Sequence, residues 1–285
     1  MRPGRMARTM SGQGALSKGL AVLSILAEAP EGLPLMHLAE LLETPKSGAH
    51  RTLQNLIVDG YVRQDAMTGN YQLTLALPIL GMQFLSTNSL TSLALPLLES
   101  LADDTGQLVR LALAEDDRLV WVAKRQGARS GLRFDPDHAA EVPLVSTATG
   151  VAWLSRLPEE EAMSLALRRH VAPRHETGPN LPASVSQILE TLSRARSQGW
   201  ASVHDSYELG ISAVAKAVVD RESGRPLGAV SIAGPTVQLT PERVQEVLPL
   251  LAEVVSQLEK VPRAMLPTMP LHSALNIVAD GGTDA

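Results

Sequence analysis

Lys46, Ser47, His50, Arg51 and Gln54 stand within the nine residues KSGAHRTLQ, with no acidic side chain among them. Cations interleaved with short hydrogen-bonding groups suit one chemistry above others. Lys46 and Arg51 can contact phosphate or guanine, while Ser47 and His50 can bond to phosphates or base edges. Taken alone, a solvated helix face would read the same way, so the neighbouring elements must decide. Covalent chemistry finds little support elsewhere. The chain has no cysteine, which excludes a thiol nucleophile, thiolate-bound zinc and disulfides. It has no GxSxG, HExxH or phosphate-loop motif, and Gly12-Gln13-Gly14 follows no strand. Ser212 and Lys216 come nearest to a nucleophile pair, but an exposed strand face explains their spacing. His175-Glu176 and the other histidines lack metal-ligand spacing. Neither an enzyme nor a cofactor is expected.

The elements that carry the basic segment are legible. Thr44 can cap, Pro45 suits a first helical position, and Gly60 suits the residue just past the end. The segment ETPKSGAHRTLQNLIVDGYV therefore reads as a helix, with Ala49, Leu53, Leu56 and Ile57 forming its buried stripe. Gly48 costs about 1 kcal/mol relative to Ala in a helix interior, and it reads as room for close approach to DNA. Upstream, Leu16, Leu20, Leu23 and Leu26 predict a helix that ends at Pro30 and Gly32. Leu35 to Leu42 predicts a second, joined to the basic helix through Glu43-Thr44-Pro45, as in helix-turn-helix pairs. Downstream, YVRQDAMTGNYQLT alternates on either side of a Thr-Gly-Asn turn and predicts a hairpin. Three helices and a hairpin make a winged helix-turn-helix, whose second motif helix reads the major groove. Arg63, at the start of the hairpin, is placed to track the sugar-phosphate backbone.

At 285 residues and 45% hydrophobic content the chain has room for two domains, and a net charge of −5 confines any nucleic-acid contact to one region. The basic N-terminus lacks an apolar core and no run of eighteen apolar residues occurs, so the expected location is the cytoplasm. Beyond the hairpin, Leu77 to Leu85 predicts a linker helix. Thr91 to Thr105 predicts another, with Leu93, Leu97, Leu98 and Leu101 on one side and Pro96 near its start. Leu108 to Val122 reads as a hairpin turning at Glu115-Asp116-Asp117. Ser212 to Val219 and Leu227 to Ala233 read as later strands, and Pro241 to Lys260 as a closing helix. The fold class is α+β with an antiparallel sheet. The expected divisions are an arm (1–13), a DNA-binding domain (14–75), a linker helix (76–90), a sensing domain (91–261) and a tail (262–285).

The run from Leu16 through Tyr71 resembles the DNA-binding domain of the IclR family of bacterial transcriptional regulators. LPLLESLADDTGQLVRLALAEDDRLVWVAKRQG, PLVSTATGVAWLSRLPEEE, GWASVHDSYELGISAVAKAVVD and AVSIAGPTVQLTPERV resemble the family's effector domain in order and spacing. The resemblance covers roughly residues 14 to 260. It implies a GAF-like second domain, an organic-acid effector, a palindromic operator, a homodimer or tetramer, and more often repression than activation. Carried over by position, the effector contacts are Leu144, Ala148, Thr149, Gly150, Val203, Ala213, Ser231 and Ala233. Here the chain departs from the family's pattern. Val203, Ala213 and Ala233 stand where acidic, cysteine and serine side chains are frequent, Ser212 where arginine is, and Val151 where lysine or arginine is. Two readings follow: an effector that is more apolar, such as an aromatic acid, or a charge supplied from another wall by Arg110, Arg133 or His138. Arg110 interrupts an apolar strand, so it pairs either with a nearby acid or with an anionic ligand. A sensor that acts through protein partners without DNA is the alternative function.

Overall fold

The computed structural model describes residues 14–86, 89–136, 141–168 and 177–261. The arm, the tail, His138, His175 and Glu176 lie outside the described residues. The chain divides into two compact units, residues 1–87 and 88–285. In the first, α1 (Ala15–Ala27), α2 (Leu35–Leu41) and α3 (Lys46–Val58) precede a hairpin of β1 (Val62–Gln64) and β2 (Tyr71–Leu73), and α4 (Ala76–Ser86) follows. Val22, Leu26, Leu38, Leu42, Ala49, Leu53, Val62 and Tyr71 form its core. Burying a side chain such as Leu53 stabilises the unit by roughly 1.5–3 kcal/mol. Leu33 bridges to Tyr71 and so ties the chain before α2 to the wing.

The structure defines the inward face of α1 and changes one expectation for α3. Leu16 and Leu20 are 77% and 56% exposed, and the inward positions of α1 are Val22 and Leu26. The spacing located the helix without showing which of its apolar residues turn inward. Thr44 does not cap α3: Pro45 is the N-cap residue, and no side-chain cap bond is made. The Thr44 hydroxyl instead accepts from Lys18 Nζ at 3.2 Å. Gly60 does follow the helix end, at φ +80°, the left-handed conformation that favours glycine.

The second unit is built on one antiparallel sheet. Its elements are α5 (Ser89–Thr105), β3 (Leu108–Glu115), β4 (Arg118–Gln126), α6 (Ala148–Leu154), α7 (Glu159–Arg168), α8 (Val185–Gln198), β5 (Ala201–His204), β6 (Ile211–Val219), β7 (Pro226–Pro235) and α9 (Pro241–Leu258). The strand order is β4-β3-β7-β6-β5, with every pairing antiparallel. Strands buried on both faces lose the simple in–out alternation, which is why β3 is buried from Leu108 through Leu113. On one face Val109, Leu111, Val214, Val230 and Ile232 pack with Leu98 and Leu101 of α5 and Val247, Leu251 and Val255 of α9. On the other, Ala112, Ala215 and Ala229 meet Ala148, Val151 and Ala152 of α6.

Leu93 is exposed rather than part of the α5 stripe, where Ala94, Leu98, Leu101 and Ala102 are buried. Because α5 starts at Ser89, Pro96 lies inside the helix and not near its start. Ser212 is buried, against the expectation of an exposed strand face. Its hydroxyl lies 2.8 Å from His204 Nδ1 and 3.1 Å from Thr236 Oγ1, while Lys216 Nζ donates to the Gly199 carbonyl.

Candidate DNA-reading face and effector site

With Ala49 and Leu53 turned into the core, α3 leaves Lys46, Ser47, His50, Arg51, Gln54 and Asn55 exposed. None of these six side chains has a hydrogen-bond or ion-pair partner among the described residues. Without a side-chain cap, the first-turn amides of α3 are also left open, and a helix N-terminus carries partial positive charge. Gly48 has an internal reason for its size: an added Cβ would come within 3.1 Å of Thr44 Oγ1. Arg63 lies on the exposed part of β1, and its Nε and Nη2 both donate to Gln72 Oε1 on β2, at 3.2 and 3.0 Å. The wing thus presents a positioned cation, whereas α3 presents free ones.

In the second unit the sheet face beneath α6 collects most of the remaining candidates. Directly paired residues on antiparallel strands share a face. Arg110 is opposite Lys124 on β4 and Ser231 on β7; Ser231 is opposite Ala215, and Ala233 opposite Ala213; Ala213 is opposite Val203. Leu144 and Ala148 close over this face, with Val203 and Ala213 at its margin. Thr149 is buried within α6. Gly150 permits a close approach, since a Cβ there would meet the Leu144 carbonyl oxygen at 2.4 Å. Thr147 caps the helix by accepting from the Gly150 amide. Arg133 stands apart: its side chain is 56% exposed and lies 3.9 Å from Asp135.

Arg110 is only 6% exposed. Its guanidinium carbon lies 3.9 Å from the centroid of Trp121 and 5.8 Å from that of Phe134. Sequence reasoning passed over both aromatic residues. Trp121 reaches this face because the β3–β4 register shifts between Leu111 and Ala112, so that Ala112 pairs with Trp121 and not with Val122. A bulge of this kind re-aims every later side chain on the strand, and strict alternation gave no sign of it. Burial pushes the Arg110 pKa down to about 10, which leaves the group charged at neutral pH. Of the two partners expected for it, no acid pairs with Arg110 among the described residues, and its Nε has no hydrogen-bond partner. Trp121 Nε1, Ser206 Oγ and Ser231 Oγ are likewise buried without partners.

A separate cleft of about 520 Å³ lies near Arg156, Arg196 and Arg225. Its guanidinium groups are committed: Arg156 to the Gly199 carbonyl, Arg196 to the carbonyls of Ser155 and Leu157, and Arg225 to Glu161. Among the described residues of this unit, the buried charge without an ion-pair partner is therefore Arg110.

A winged helix with an unpartnered basic face, followed by a separate sheet domain with an unpaired buried cation, has the build of a ligand-responsive transcriptional regulator. Residues 15–66 match the family model described as IclR helix-turn-helix domain, and residues 82–260 match that of the bacterial transcriptional regulator IclR C-terminal domain. The chain belongs to the IclR family of transcriptional regulators. It is 30% identical over 234 residues to the acetate operon repressor of Salmonella typhimurium, covering 81% of this chain and 84% of the relative. To the DNA-binding transcriptional repressor YiaJ of Escherichia coli it is 31% identical over 232 residues, 80% of each chain. Among solved structures, an IclR transcriptional regulator from Alicyclobacillus acidocaldarius superimposes with a TM-score of 0.74 at 23% identity, over 86% of this chain and 97% of the other. An IclR homologue from Microbacterium hydrocarbonoxydans, complexed with 4-hydroxybenzoate, gives 0.70 at 20% identity, over 86% and 98%. Family membership makes the chain a regulator of transcription and not an enzyme. No helix among the described residues is long and apolar enough to cross a membrane.

Proposed function

We propose that the protein is a cytoplasmic, dimeric repressor that reads a palindromic operator through α3 and releases it when a small organic acid binds the second unit. The observation that carries the DNA-reading part is the face of α3. Lys46, Ser47, His50, Arg51 and Gln54 are exposed and have no partner among the described residues, beside an open helix N-terminus suited to a phosphate. Arg63, held by Gln72, supplies a backbone contact from the wing. Two copies would meet half-sites about 34–36 Å apart or a multiple of that distance. Ile79, Leu80 and Met82 of α4, with Leu16 and Leu20 of α1, offer exposed apolar side chains for joining the two copies. Relatives named as repressors support the sign of regulation. The likeness to a protein that holds 4-hydroxybenzoate supports an acid as effector. The acid would shift the relative placement of the two DNA-reading units, which requires different affinities for the two arrangements.

The test is recovery of genomic DNA on the purified protein, compared with a variant carrying Lys46→Ala and Arg51→Ala. Enrichment of a promoter beside a catabolic or transport operon, lost in the variant, is the expected result. Equal recovery by both proteins would refute the reading of α3 and favour a sensor that acts through protein partners.

A further inference from the structure

We infer that Arg110 receives the carboxylate of a small, flat, apolar monoanion lying on the alanine-lined sheet face beneath α6. The inference rests on the reading of the second unit as the effector domain and adds to it the atom that anchors the ligand and the ligand's class. Three observations converge on it. First, Arg110 is charged and buried, has no acidic partner among the described residues, and has an unsatisfied Nε. A guanidinium in this condition finds its best partner in a carboxylate, which matches its planar fork. Second, Trp121 and Phe134 lie within reach of cation–π contact. A ring contact is not a hydrogen bond, and Nε still needs an acceptor.

Third, the surroundings define the rest of the ligand. Ser231, the β7 partner of Arg110, has a buried hydroxyl without a partner, which can donate to a second carboxylate oxygen. Beyond it on the same face lie Ala213, Ala215 and Ala233, whose side chains end at a methyl group and offer only apolar contact. Leu108 and Phe134 pack against Ala233 and provide an apolar wall. The charge of the ligand follows from the cations present. Lys124 is opposite Arg110 but is engaged by Asp135 at 2.8 Å and by the Pro136 carbonyl. A single available guanidinium matches one negative charge, whereas a phosphate dianion would call for a second cation. The position also explains how the site works without the polar groups that Val203, Ala213 and Ala233 do not supply: charge recognition has moved to β3.

The experiment uses the full chain, with tryptophan fluorescence as the readout because Trp121 stacks on the anchor. Benzoate, its neutral analogue benzamide and the puckered cyclohexanecarboxylate are titrated into the parent protein and into Arg110→Met. Retention of the recovered operator fragment by ligand-free protein is measured in parallel. The parent should bind benzoate at least tenfold more tightly than benzamide, and more tightly than cyclohexanecarboxylate. Arg110→Met should bind benzoate and benzamide within about threefold of each other and should melt no lower than the parent, since it removes an unpaired buried charge. Equal binding of benzoate and benzamide by the parent overturns the proposal, as does a charge preference that survives in Arg110→Met. A variant that melts well below the parent, or fails to fold, assigns Arg110 a structural role and overturns it too. If no acid binds while the operator is still retained, the anchor is wrong and the regulator reading stands. If the operator is not retained either, the functional reading itself has failed.

Discussion

Arg51 and Arg63 are both exposed cations of the DNA-binding unit, but they differ in what holds them. Arg51 is free on α3, whereas Arg63 is fixed by two donations to Gln72 across the wing. A guanidinium already oriented by a neighbour suits a phosphate whose position does not vary with sequence. Replacing Arg63 with Ala should therefore weaken all operator variants about equally and reduce the salt dependence of binding by about one unit in the log–log slope. Affinity measured at several salt concentrations for the operator and for single-base variants checks this. A changed order of preference among the variants would place Arg63 on a base edge instead. The residue scale also shows where reading the sequence reached its limit. The basic side chains of α3 were legible because a charged, acid-free helix face can be counted from sequence. Trp121 was not, because its face depends on a one-residue bulge opposite Ala112. That no acid among the described residues pairs with Arg110 was hidden for the same kind of reason, since it is a property of packing between distant segments.

Among elements, α4 has the least to bury it within its own unit. It spans Ala76–Ser86, and Ile79, Leu80 and Met82 are all more than half exposed. Contiguous apolar surface of this kind marks an interaction site. Periodicity located the helix but could not assign it a buried face, because its apolar residues surround the axis. In α1 the spacing of Leu16 and Leu20 likewise located the helix, and both residues are surface in the structure. If these faces join two copies, Leu80→Asp should give a monomer by sedimentation with the sheet unit still folded. Its affinity for a two-half-site operator should fall by roughly 10²-fold or more, the factor that linked binding contributes. A dimer of unchanged stability in Leu80→Asp would move the interface elsewhere. By contrast α6 was marked only by the family resemblance, and the structure shows what its residues do: Thr147 supplies the cap, and Gly150 the approach to Leu144. Its small residues serve packing as much as they serve any ligand.

The whole molecule joins a unit that reads DNA to a unit with a buried anion-compatible site, and its regulation requires the two to exchange free energy. The coupling is reciprocal by thermodynamic necessity: the factor by which a ligand weakens operator binding must equal the factor by which the operator weakens ligand binding. Typical couplings of about 1–3 kcal/mol correspond to roughly 5–150-fold. If the proposed acid is the effector, saturating the second unit with it should lower operator affinity by a factor in that range, and saturating the protein with operator should raise the dissociation constant of the acid by the same factor. Calorimetric titration of the acid with and without operator, set beside operator titrations with and without acid, closes the cycle. In Arg110→Met both factors should fall together toward one, because a site that cannot take up the anion cannot distinguish the two arrangements through it. Retention of both factors in Arg110→Met would mean that the acid acts on the operator complex from a site outside the sheet face.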